Sequence, residues 1–389
     1  MFSDNLRKQP RIEWISPPPA TINNIVLLIP QYNECSSTAF DKRLAYFREL
    51  AITHEHLLDI VIIDDGSTDE SLYRMKSYFA AFPGHLYVAS VTPNAQKVGA
   101  LYITALALPQ YQYVILSDFD TDLENLGAIE ELLHDMSAYP EIMGCYFKMV
   151  PFAGKGLTFL FQKMEYSFAR MYYKVHESDQ SVPVMPGAGC CFKREALLRV
   201  YALHSGLRNG EDREATVIGM NLGLKTTYLK DVLALTRPPI TFTALVKQRK
   251  RWYLGYLETL DKERSYYTRM ILKLNSIGVR TVQDLLGIGL VLLCPIILFL
   301  SGCLNIERTL AICVLCYLSS LIYYCTLFAS HPDETGEFKA KEKVLIILYP
   351  IFWLSISCVS WWRAFMSFAK SKKIQSSLKS EILYLKLKK

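Results

Sequence analysis

The sequence has little charge for its length, and it lacks internal repeats and low-complexity segments. Of its 389 residues, 21% are charged and 51% are hydrophobic, whereas about 25% of the residues in a typical soluble domain are charged. This composition excludes a disordered chain. Three uncharged hydrophobic runs, at 285–304, 309–330 and 344–362, also exclude a wholly soluble protein, because each has about the ~20 residues that a membrane-spanning helix needs.

Sequence signals of several other protein classes are missing. The net charge of +6 is mild, and no basic stretch is interleaved with aromatic residues, so nucleic acid is not an expected partner. The ten cysteines are scattered, which does not indicate a disulfide framework and suits a reducing cytoplasm. The seven histidines show no metal-ligand spacing. The pair Cys313 and Cys316 lies inside a hydrophobic run without a second pair, and we interpret it as packing.

The start of the sequence carries charged residues in place of an apolar core. This pattern predicts neither a signal peptide nor an N-terminal anchor. We therefore expect the first 270 residues to stay on the cytoplasmic side of the membrane.

Four apolar runs alternate with helix-like segments in the first 120 residues. The runs lie at 24–30, 59–64, 86–91 and 111–116, and they resemble strands that are buried on both faces of a parallel sheet. Their spacing of about 30 residues predicts βαβ units and a doubly wound α/β fold. Because ligands bind outside the carboxyl ends of such strands, the polar residues that follow each run are candidate site residues.

Two pairs of carboxylates follow the second and the fourth of these runs. Asp64 and Asp65 form the first pair, and Asp118 and Asp120 form the second. Carboxylates at strand ends need a cation or hydrogen-bond donors, and hard oxygen ligands select Mg²⁺ or Mn²⁺. A metal that carries a diphosphate fits this spacing, although acidic turn residues after strands are also common without any ligand.

Two further motifs precede the hydrophobic runs. A glycine-hinged turn with Gly187 and Gly189 leads towards the acid pair Glu211 and Asp212. Further along, Gln248, Arg251 and Trp252 would share one face of a helix. A guanidinium fits phosphate oxygens, and an indole offers a platform to a sugar ring. An aromatic and basic belt at a membrane interface is the alternative interpretation.

Taken in order, these motifs resemble the inverting glycosyltransferases of family 2, which have the GT-A fold. More narrowly, they are similar to the membrane-embedded processive branch that includes cellulose, chitin, hyaluronan and poly-N-acetylglucosamine synthases. The resemblance covers about residues 24–252. It rests on Pro30-x-Tyr32-Asn33-Glu34, Asp64-Asp65-Gly66-Ser67, Lys97-x-Gly99-Ala100, Asp118-x-Asp120, Gly187-x-Gly189, Glu211-Asp212 and Gln248-x-x-Arg251-Trp252.

The resemblance implies a role for each matching residue. The donor nucleotide and its diphosphate would be bound by Tyr32, Glu34, Asp64, Asp65, Lys97, Asp118 and Arg251. The acceptor would be bound by Gln248, Trp252, Gly187 and Gly189. A cofactor ion, Mg²⁺ or Mn²⁺, would be held by Asp120 and Asp118. The general base would be Asp212, with Glu211 beside it in the catalytic pair.

The resemblance also implies the reaction and its partners. The enzyme would transfer a sugar, with inversion, from a nucleotide-sugar donor, commonly a UDP-sugar, to a growing polysaccharide or glycolipid acceptor. Non-processive transfer of one sugar to a polyprenyl phosphate or another lipid is the alternative, and the motif at 248–252 argues against it. A transporter or scaffold would need ionisable residues inside its spans, and the three runs contain none.

The sequence divides into five predicted parts. These are a leader (1–23), a GT-A catalytic domain (24–239), interfacial amphipathic helices (240–283), about three transmembrane helices (284–367) and a basic tail (368–389). The amphipathic stretch 157–175 suits either a core helix or an interfacial one.

A protein of this kind is expected in the inner cell membrane, crossing it several times with the catalytic domain in the cytoplasm. Three crossings would export the basic tail, against the preference of positive charge for the inside, so the last run is the best candidate for shallow placement. So few helices enclose a polymer channel poorly, and secretion would need a homo-oligomer or a partner protein.

Overall fold

The computed structural model describes the backbone of residues 10–18, 23–36, 38–81 and 86–387. Within these ranges it describes the side chains other than those of residues 134, 135, 294 and 373–387. Parts of the predicted leader (1–9 and 19–22) and most side chains of the predicted basic tail therefore lie outside the described residues.

The chain forms two compact units. The first comprises Met1–Phe152 and His176–Arg237, and the second comprises Ala153–Val175 and Pro238–Lys389. The predicted catalytic domain at 24–239 is thus interrupted by a segment that groups with the later helices. The finer boundaries at 283, 284 and 367 stay a prediction.

The strands of the described chain are β1 (Arg11–Ser16), β2 (Ile25–Gln31), β3 (Leu58–Asp64), β4 (Leu86–Thr92), β5 (Tyr113–Leu116), β6 (Asp122–Glu124), β7 (Ile142–Pro151), β8 (Cys190–Lys193) and β9 (Lys225–Thr236). The α-helices are α1 (Phe40–Thr53), α2 (Ser71–Ala81), α3 (Gln96–Leu106), α4 (Ile129–Ala138), α5 (Leu157–Glu177), α6 (Arg194–Leu203), α7 (Glu211–Asn221), α8 (Phe242–Lys262), α9 (Arg264–Lys273), α10 (Ser276–Leu304), α11 (Ile306–Ser330), α12 (Pro332–Thr335), α13 (Ala340–Lys343) and α14 (Tyr349–Leu387). Short 3₁₀ turns lie at Leu126–Ala128 and Val344–Ile347.

The described strands form one sheet in the order β1-β4-β3-β2-β5-β8-β7-β9-β6. The four predicted runs are the parallel strands β2 to β5, so the expected doubly wound arrangement is confirmed. The sheet as a whole is mixed, because β1, β6 and β8 pair antiparallel to their neighbours. One of these, β1, lies within the predicted leader, where its alternating residues form an edge strand.

The parallel strands are buried on both faces, as their apolar runs predict. Ile25 to Ile29 in β2 and Ile60 to Ile63 in β3 are almost completely inaccessible to solvent. Side chains from α1, including Phe40, Leu44 and Phe47, cover one face of this core. Burial of apolar surface stabilises a strand that is enclosed in this way. Its polar side chains are therefore expected at its ends.

The topology brings the strand ends of the candidate motifs to one edge of the sheet. From β2 the chain moves outwards through β3 to β4 and then returns to β5 on the other side of β2. Register pairs Gln31 with Asp64 and Leu28 with Leu116. Because α/β sheets bind ligands where the chain reverses its direction of winding, the crevice beyond β2 and β5 is the expected site.

The second unit is helical. The apolar face of α5 is buried against residues of α11, α14 and the segment between them, in a cluster of Phe161, Met164, Phe168, Met171, Phe328, Phe338, Ile346 and Tyr349. Of the two interpretations of 157–175, the structure therefore shows a core-packing helix.

Two described helical segments, Ser276–Leu293 and Ile306–Ser330, are long and apolar enough to cross a membrane. A third span exists only if Ala340–Ile347 and Tyr349–Lys372, which meet at a bend of 58°, count as one. The chain therefore has two to three candidate spans. The bend falls in the hydrophobic run that the sequence identifies as the best candidate for shallow placement.

The close approach of β7 and β8 at Gly144 gives a test of the sheet. A Cβ atom at position 144 would lie 2.3 Å from the carbonyl oxygen of Cys191 and 3.0 Å from the Cα of Phe192. We expect Gly144→Ala to lower the free energy of unfolding by about 2 kcal/mol, because the strands must separate, and to lower the unfolding temperature of the detergent-solubilised protein. Gly127→Ala is the matched control, since the methyl group that alanine adds there would meet no atom of the described residues within 4 Å apart from the backbone of its own turn and its chain neighbours. Equal unfolding temperatures for the two variants would contradict this packing.

Candidate active site

Asn33 ties together the loops that follow β2 and β3. Its φ of 57° lies in the left-handed region, which asparagine tolerates better than most residues. Its Oδ1 accepts hydrogen bonds from the backbone N–H of Thr68 (2.8 Å) and of Asp69 (3.3 Å), and its own N–H donates to Ser67 Oγ (3.0 Å). The turn leaves the neighbouring Tyr32 ring exposed to solvent.

The two acids at the end of β3 are both buried, with exposed fractions of 1% for Asp64 and 4% for Asp65. Asp64 accepts hydrogen bonds from Gln31 Nε2 (2.5 Å) and from the backbone N–H of Ser67 (3.2 Å). Asp65 accepts from the backbone N–H of Ala95 (2.7 Å). Burial raises the pKa of Asp65 to about 7 and the charge of Asp64 adds to this shift, because the backbone donors of Ala95 and Gln96 offset the loss of hydration only in part.

Lys97 joins three separate segments at this edge of the sheet. From the first turn of α3, its Nζ donates to Asp118 Oδ1 (2.5 Å) and to the carbonyl oxygen of Gly187 (3.3 Å) and lies 3.8 Å from Glu211 Oε1. Burial alone would lower the pKa of Lys97, but the charges of Asp118 and Glu211 outweigh it and hold the pKa well above its usual value. The ammonium group is therefore a fixed positive charge at the site.

Gly187 lies between Lys97 and the acid pair at the start of α7. A Cβ atom on Gly187 would lie 3.1 Å from Lys97 Nζ and 3.5 Å from the Cβ of Asp212. The glycine therefore leaves the surface between these side chains open. Gly189 is placed differently, because its Cβ would lie 2.7 Å from that of Ala234, and its small size serves packing against β9.

A buried histidine supports the start of α7. The backbone N–H of Gly206 donates to His204 Nδ1 (2.9 Å), so we assign the ring proton to Nε2, which lies 2.9 Å from the carbonyl oxygen of Glu211. Burial raises the pKa of Glu211 to about 7; Lys97 opposes this shift and Asp212 adds to it. Glu211 therefore titrates near neutral pH.

Asp118, Asp120 and Glu34 form a group of mutually repelling carboxylates. Burial, followed by the charge of Asp118, raises the pKa of Asp120. Burial, followed by the charges of Asp120, Asp69 and Asp118, raises the pKa of Glu34. A cation would relieve this repulsion, and carboxylate oxygens are the ligands that Mg²⁺ and Mn²⁺ prefer.

The carboxylate set therefore fits a divalent ion, but not a cage made by protein alone. Among the described residues, no three or more His, Cys, Asp and Glu side chains are arranged to hold one metal. Magnesium is typically bound by one or two carboxylates together with substrate phosphates and water. Asp120 and Asp118 suit a site of that incomplete kind.

The remaining predicted site residues lie in the second unit, on α8. Gln248 is partly buried, whereas Arg251 and Trp252 are exposed. All three are on one helix, as the spacing predicts. Their roles stay a prediction.

Arg249, inside the same motif, is 1% exposed, although it stands between Gln248 and Lys250 in the sequence. Its Nη2 pairs with Glu165 Oε2 (2.6 Å), and its Nη1 donates to Gln248 Oε1 (2.7 Å). Its guanidinium also lies 4.0 Å from the centre of the Trp252 ring. No local sequence signal identifies this contact, because Glu165 is 84 residues away.

The chain thus combines a doubly wound sheet, acids at the ends of β3 and β5, a glycine turn at 187–189 and an acid pair that opens α7, which is the arrangement expected of a glycosyltransferase with the GT-A fold. A model of the glycosyl transferase family group 2 matches residues 113–330. This is more than half of the chain, and the protein belongs to that family.

Solved and curated relatives agree with this assignment. The structure of a mannosyltransferase from Pyrobaculum calidifontis, in complex with GDP-Man and Mn²⁺, superposes with a TM-score of 0.55 at 15% identity, covering 95% of this chain and 94% of that one. This likeness shows the fold.

Among curated relatives, a chitin synthase of Caenorhabditis elegans is 28% identical over 36% of this chain and 11% of its own length. An N-acetylglucosaminyltransferase of Rhizobium meliloti is 22% identical over 50% of this chain and 47% of its own length. A protein of the same name from Azorhizobium caulinodans is 26% identical over 58% of each. The matches thus span between about a tenth and three fifths of these relatives.

The raised pKa of Asp65 predicts how stability depends on pH. The folded protein holds this proton more tightly than the unfolded chain does, so stability falls as pH rises from about 4 towards and through 7. Asp65→Asn removes this loss of stability and keeps a side-chain oxygen that can accept the hydrogen bond from the backbone N–H of Ala95. We expect the variant to gain about 2 kcal/mol over the wild type between pH 5 and pH 8, measured by thermal unfolding. Asp231→Asn, at an exposed carboxyl, should show no such gain, and a parallel pH dependence of wild type and Asp65→Asn would contradict the shift.

The burial of Arg249 predicts a large effect of removing its partner. Glu165→Ala leaves the Arg249 guanidinium buried without its counter-charge, and we expect a loss of about 3 kcal/mol in the free energy of unfolding. Glu165→Gln keeps an acceptor and should cost less. Lys174→Ala is the control on the same helix, since Lys174 and Asp333 form an exposed pair at 4.0 Å, which should contribute under about 1 kcal/mol. Similar unfolding temperatures for Glu165→Ala and Lys174→Ala would contradict the assignment.

Proposed function

We propose that the protein transfers a sugar, with inversion, from a nucleotide-sugar donor to a growing polysaccharide or glycolipid at a membrane. The observation that carries this proposal is the convergence of Lys97 on Asp118, Glu211 and Gly187 at the carboxyl edge of the sheet. A fixed cation beside an acid pair supplies what the transfer needs: a charge for the leaving phosphates and an acceptor for a proton.

The donor would lie along the crevice beyond β2 and β5. The exposed Tyr32 ring and Glu34 would border the nucleotide, while the buried Asp64 and Asp65 would fix the loops around it. Lys97 would attract the diphosphate, since its ammonium stays charged throughout the neutral pH range.

Asp120, with Asp118 beside it, would hold Mg²⁺ or Mn²⁺. When bound, the ion supplies positive charge that stabilises the diphosphate leaving group. The chain itself contributes the carboxylates and a loop that presents them. The neighbouring structure from Pyrobaculum calidifontis, solved with Mn²⁺, supports testing manganese first.

Asp212 would act as the general base. The oxygen of the acceptor hydroxyl attacks the anomeric carbon, the bond from that carbon to the diphosphate oxygen breaks, and the hydroxyl proton passes to the Asp212 carboxylate. The nucleoside diphosphate leaves in the same step, so the anomeric configuration inverts. Glu211, which titrates near neutral pH, adds negative charge beside the base.

Gln248, Arg251 and Trp252 would bind the acceptor end and the diphosphate. The exposed indole suits a sugar ring, and the exposed guanidinium suits phosphate oxygens. The pairing of Arg249 with Gln248 and its stacking on Trp252 support an ordered arrangement of this motif.

The sugar and the setting are further parts of the proposal. Relatives named chitin synthase and N-acetylglucosaminyltransferase favour N-acetylglucosamine as the sugar and a polymer as the product. The two to three apolar spans favour a multi-pass protein of the inner membrane with its catalytic unit in the cytoplasm. Export of a polymer would call for a homo-oligomer or a partner.

The test is the release of nucleoside diphosphate by membranes that contain the protein. Donors would include UDP-N-acetylglucosamine, other UDP-sugars and GDP-mannose, each with Mn²⁺, Mg²⁺ or EDTA, and the product would be sized. We expect release with a UDP-sugar, loss of release with EDTA, and a long glycan. Asp212→Asn should lower turnover by about 10²–10⁴-fold, whereas Glu195→Gln, at an exposed acid in the first turn of α6, should not.

The outcomes separate the hypotheses. If the product is a single sugar on a lipid acceptor, the activity is transfer to a lipid and not polymer synthesis. Full turnover of Asp212→Asn would remove Asp212 as the base. No release with any donor would overturn the proposed activity.

A further inference from the structure

The loop that carries Asp118 and Asp120 has three consecutive carbonyl groups that accept hydrogen bonds from two arginines. Arg43 in α1 donates from Nε to the carbonyl oxygen of Phe119 (2.6 Å) and from Nη2 to that of Thr121 (2.7 Å). Arg237, which follows β9, donates from Nη1 to the carbonyl oxygen of Asp120 (2.6 Å). The loop backbone is therefore held from two sides by groups far apart in the sequence.

Asp122 links the two arginines. It forms an ion pair with Arg43 Nη1. Its Oδ2 accepts from Arg237 Nη2 (2.6 Å) and its Oδ1 from Arg237 Nη1 (3.2 Å), as a two-point contact. Only 13% of the Asp122 side chain is exposed, so these charge-assisted bonds lie in a partly dry environment, where they are stronger than in water.

The position of Arg43 is itself fixed. Its guanidinium lies 4.6 Å from the centre of the Tyr46 ring and 4.7 Å from that of Phe47. The hydroxyl of Tyr46 in turn accepts a hydrogen bond from the backbone N–H of Leu123 (2.7 Å). A planar guanidinium suits this site better than an ammonium group, since it can stack on rings and donate in several fixed directions at once.

In the described residues, the hydrogen bonds of Arg43 and Arg237 go to the backbone of this loop and to Asp122. The two arginines therefore shape the loop without occupying the carboxylates of Asp118 and Asp120. Because the arginines bind the backbone and Asp122, the carboxylates of Asp118 and Asp120 stay available to Lys97 and to a ligand.

We propose that Arg43, Asp122 and Arg237 form a clamp of positioning residues that fixes the backbone of loop 118–122 and thereby the direction in which Asp118 and Asp120 present their carboxylates. The use of those carboxylates for a metal-bound diphosphate rests on the proposed function. The clamp itself is a statement about the loop and has consequences in the ligand-free protein.

Arg237 is the residue to change. Its side chain is 37% exposed, whereas that of Arg43 is 8% exposed, so Arg237→Ala should leave the core intact. Arg237→Lys keeps the charge but loses the two-point contact with Asp122. Arg194→Ala is the matched control, because Arg194 also donates to backbone carbonyls, those of Ala105 and Leu106 at the end of α3, and it lies outside the loop.

The first measurement is amide hydrogen exchange of the peptide covering 117–124 in the full-length, metal-free protein. We expect exchange about tenfold faster or more in Arg237→Ala, an intermediate rate in Arg237→Lys, and the wild-type rate in Arg194→Ala. The second measurement is Mn²⁺ affinity in the presence of UDP, followed by the electron paramagnetic resonance signal of free Mn²⁺. Loss of a group that orients a metal ligand typically weakens metal binding by about 10–100-fold, and we expect a decrease of that size for Arg237→Ala alone.

Each outcome decides between the ideas. An unchanged exchange rate of peptide 117–124 in Arg237→Ala would overturn the clamp, whether or not the protein binds Mn²⁺. If exchange is faster but the Mn²⁺ affinity is unaltered, Arg237 anchors the loop without positioning the carboxylates. That result would also overturn the clamp. A wild-type protein that binds no Mn²⁺ with UDP would count against the proposed metal-dependent function, while the exchange rates would still support or overturn the clamp.

Discussion

The candidate site depends on the contacts that the ammonium group of Lys97 makes. This group holds together a loop after β5, a glycine turn and the first residue of α7, which come from three distant parts of the sequence. Without this charge, the carboxylates of Asp118 and Glu211 would lose the cation that they share. The same charge is what a diphosphate would meet. In the proposed reaction, the same ammonium group would therefore pair with carboxylates in the ligand-free site and with phosphate oxygens when the donor binds.

The parallel half of the sheet was predictable because its information is local. The runs that form β2, β3 and β4 are apolar on both faces, and their bounds in the structure differ from the sequence pattern by at most one residue. The antiparallel strands carry no comparable signal. Strand β8 has only four residues, and β1 lies in a segment whose prolines suggest a leader. Their pairing is a matter of long-range contacts, which periodicity within one segment does not encode.

For the site, the sequence predicted the residue types at the strand ends but not how each would be satisfied. Asp64 and Asp65 form an equivalent pair in the sequence, yet Gln31 and Ser67 donate to Asp64, whereas backbone groups around Ala95 donate to Asp65. Two identical side chains that are adjacent in the sequence therefore have different hydrogen-bond partners in the fold. The arginines that hold loop 118–122 were invisible for a similar reason, since Arg43 and Arg237 lie 76 and 117 residues from the carbonyls they bind.

Two arginines within the five residues 248–252 lie in different environments. On helix α8, Arg249 is buried against Glu165 while Arg251 stays exposed, although both are arginines two positions apart. The helical period places residues i and i+2 on different faces, so one guanidinium packs inwards and the other reaches outwards. The buried Arg249 also contacts Gln248 and Trp252. Composition alone would count three equal cations here, whereas the helix buries Arg249 and leaves Arg251 exposed.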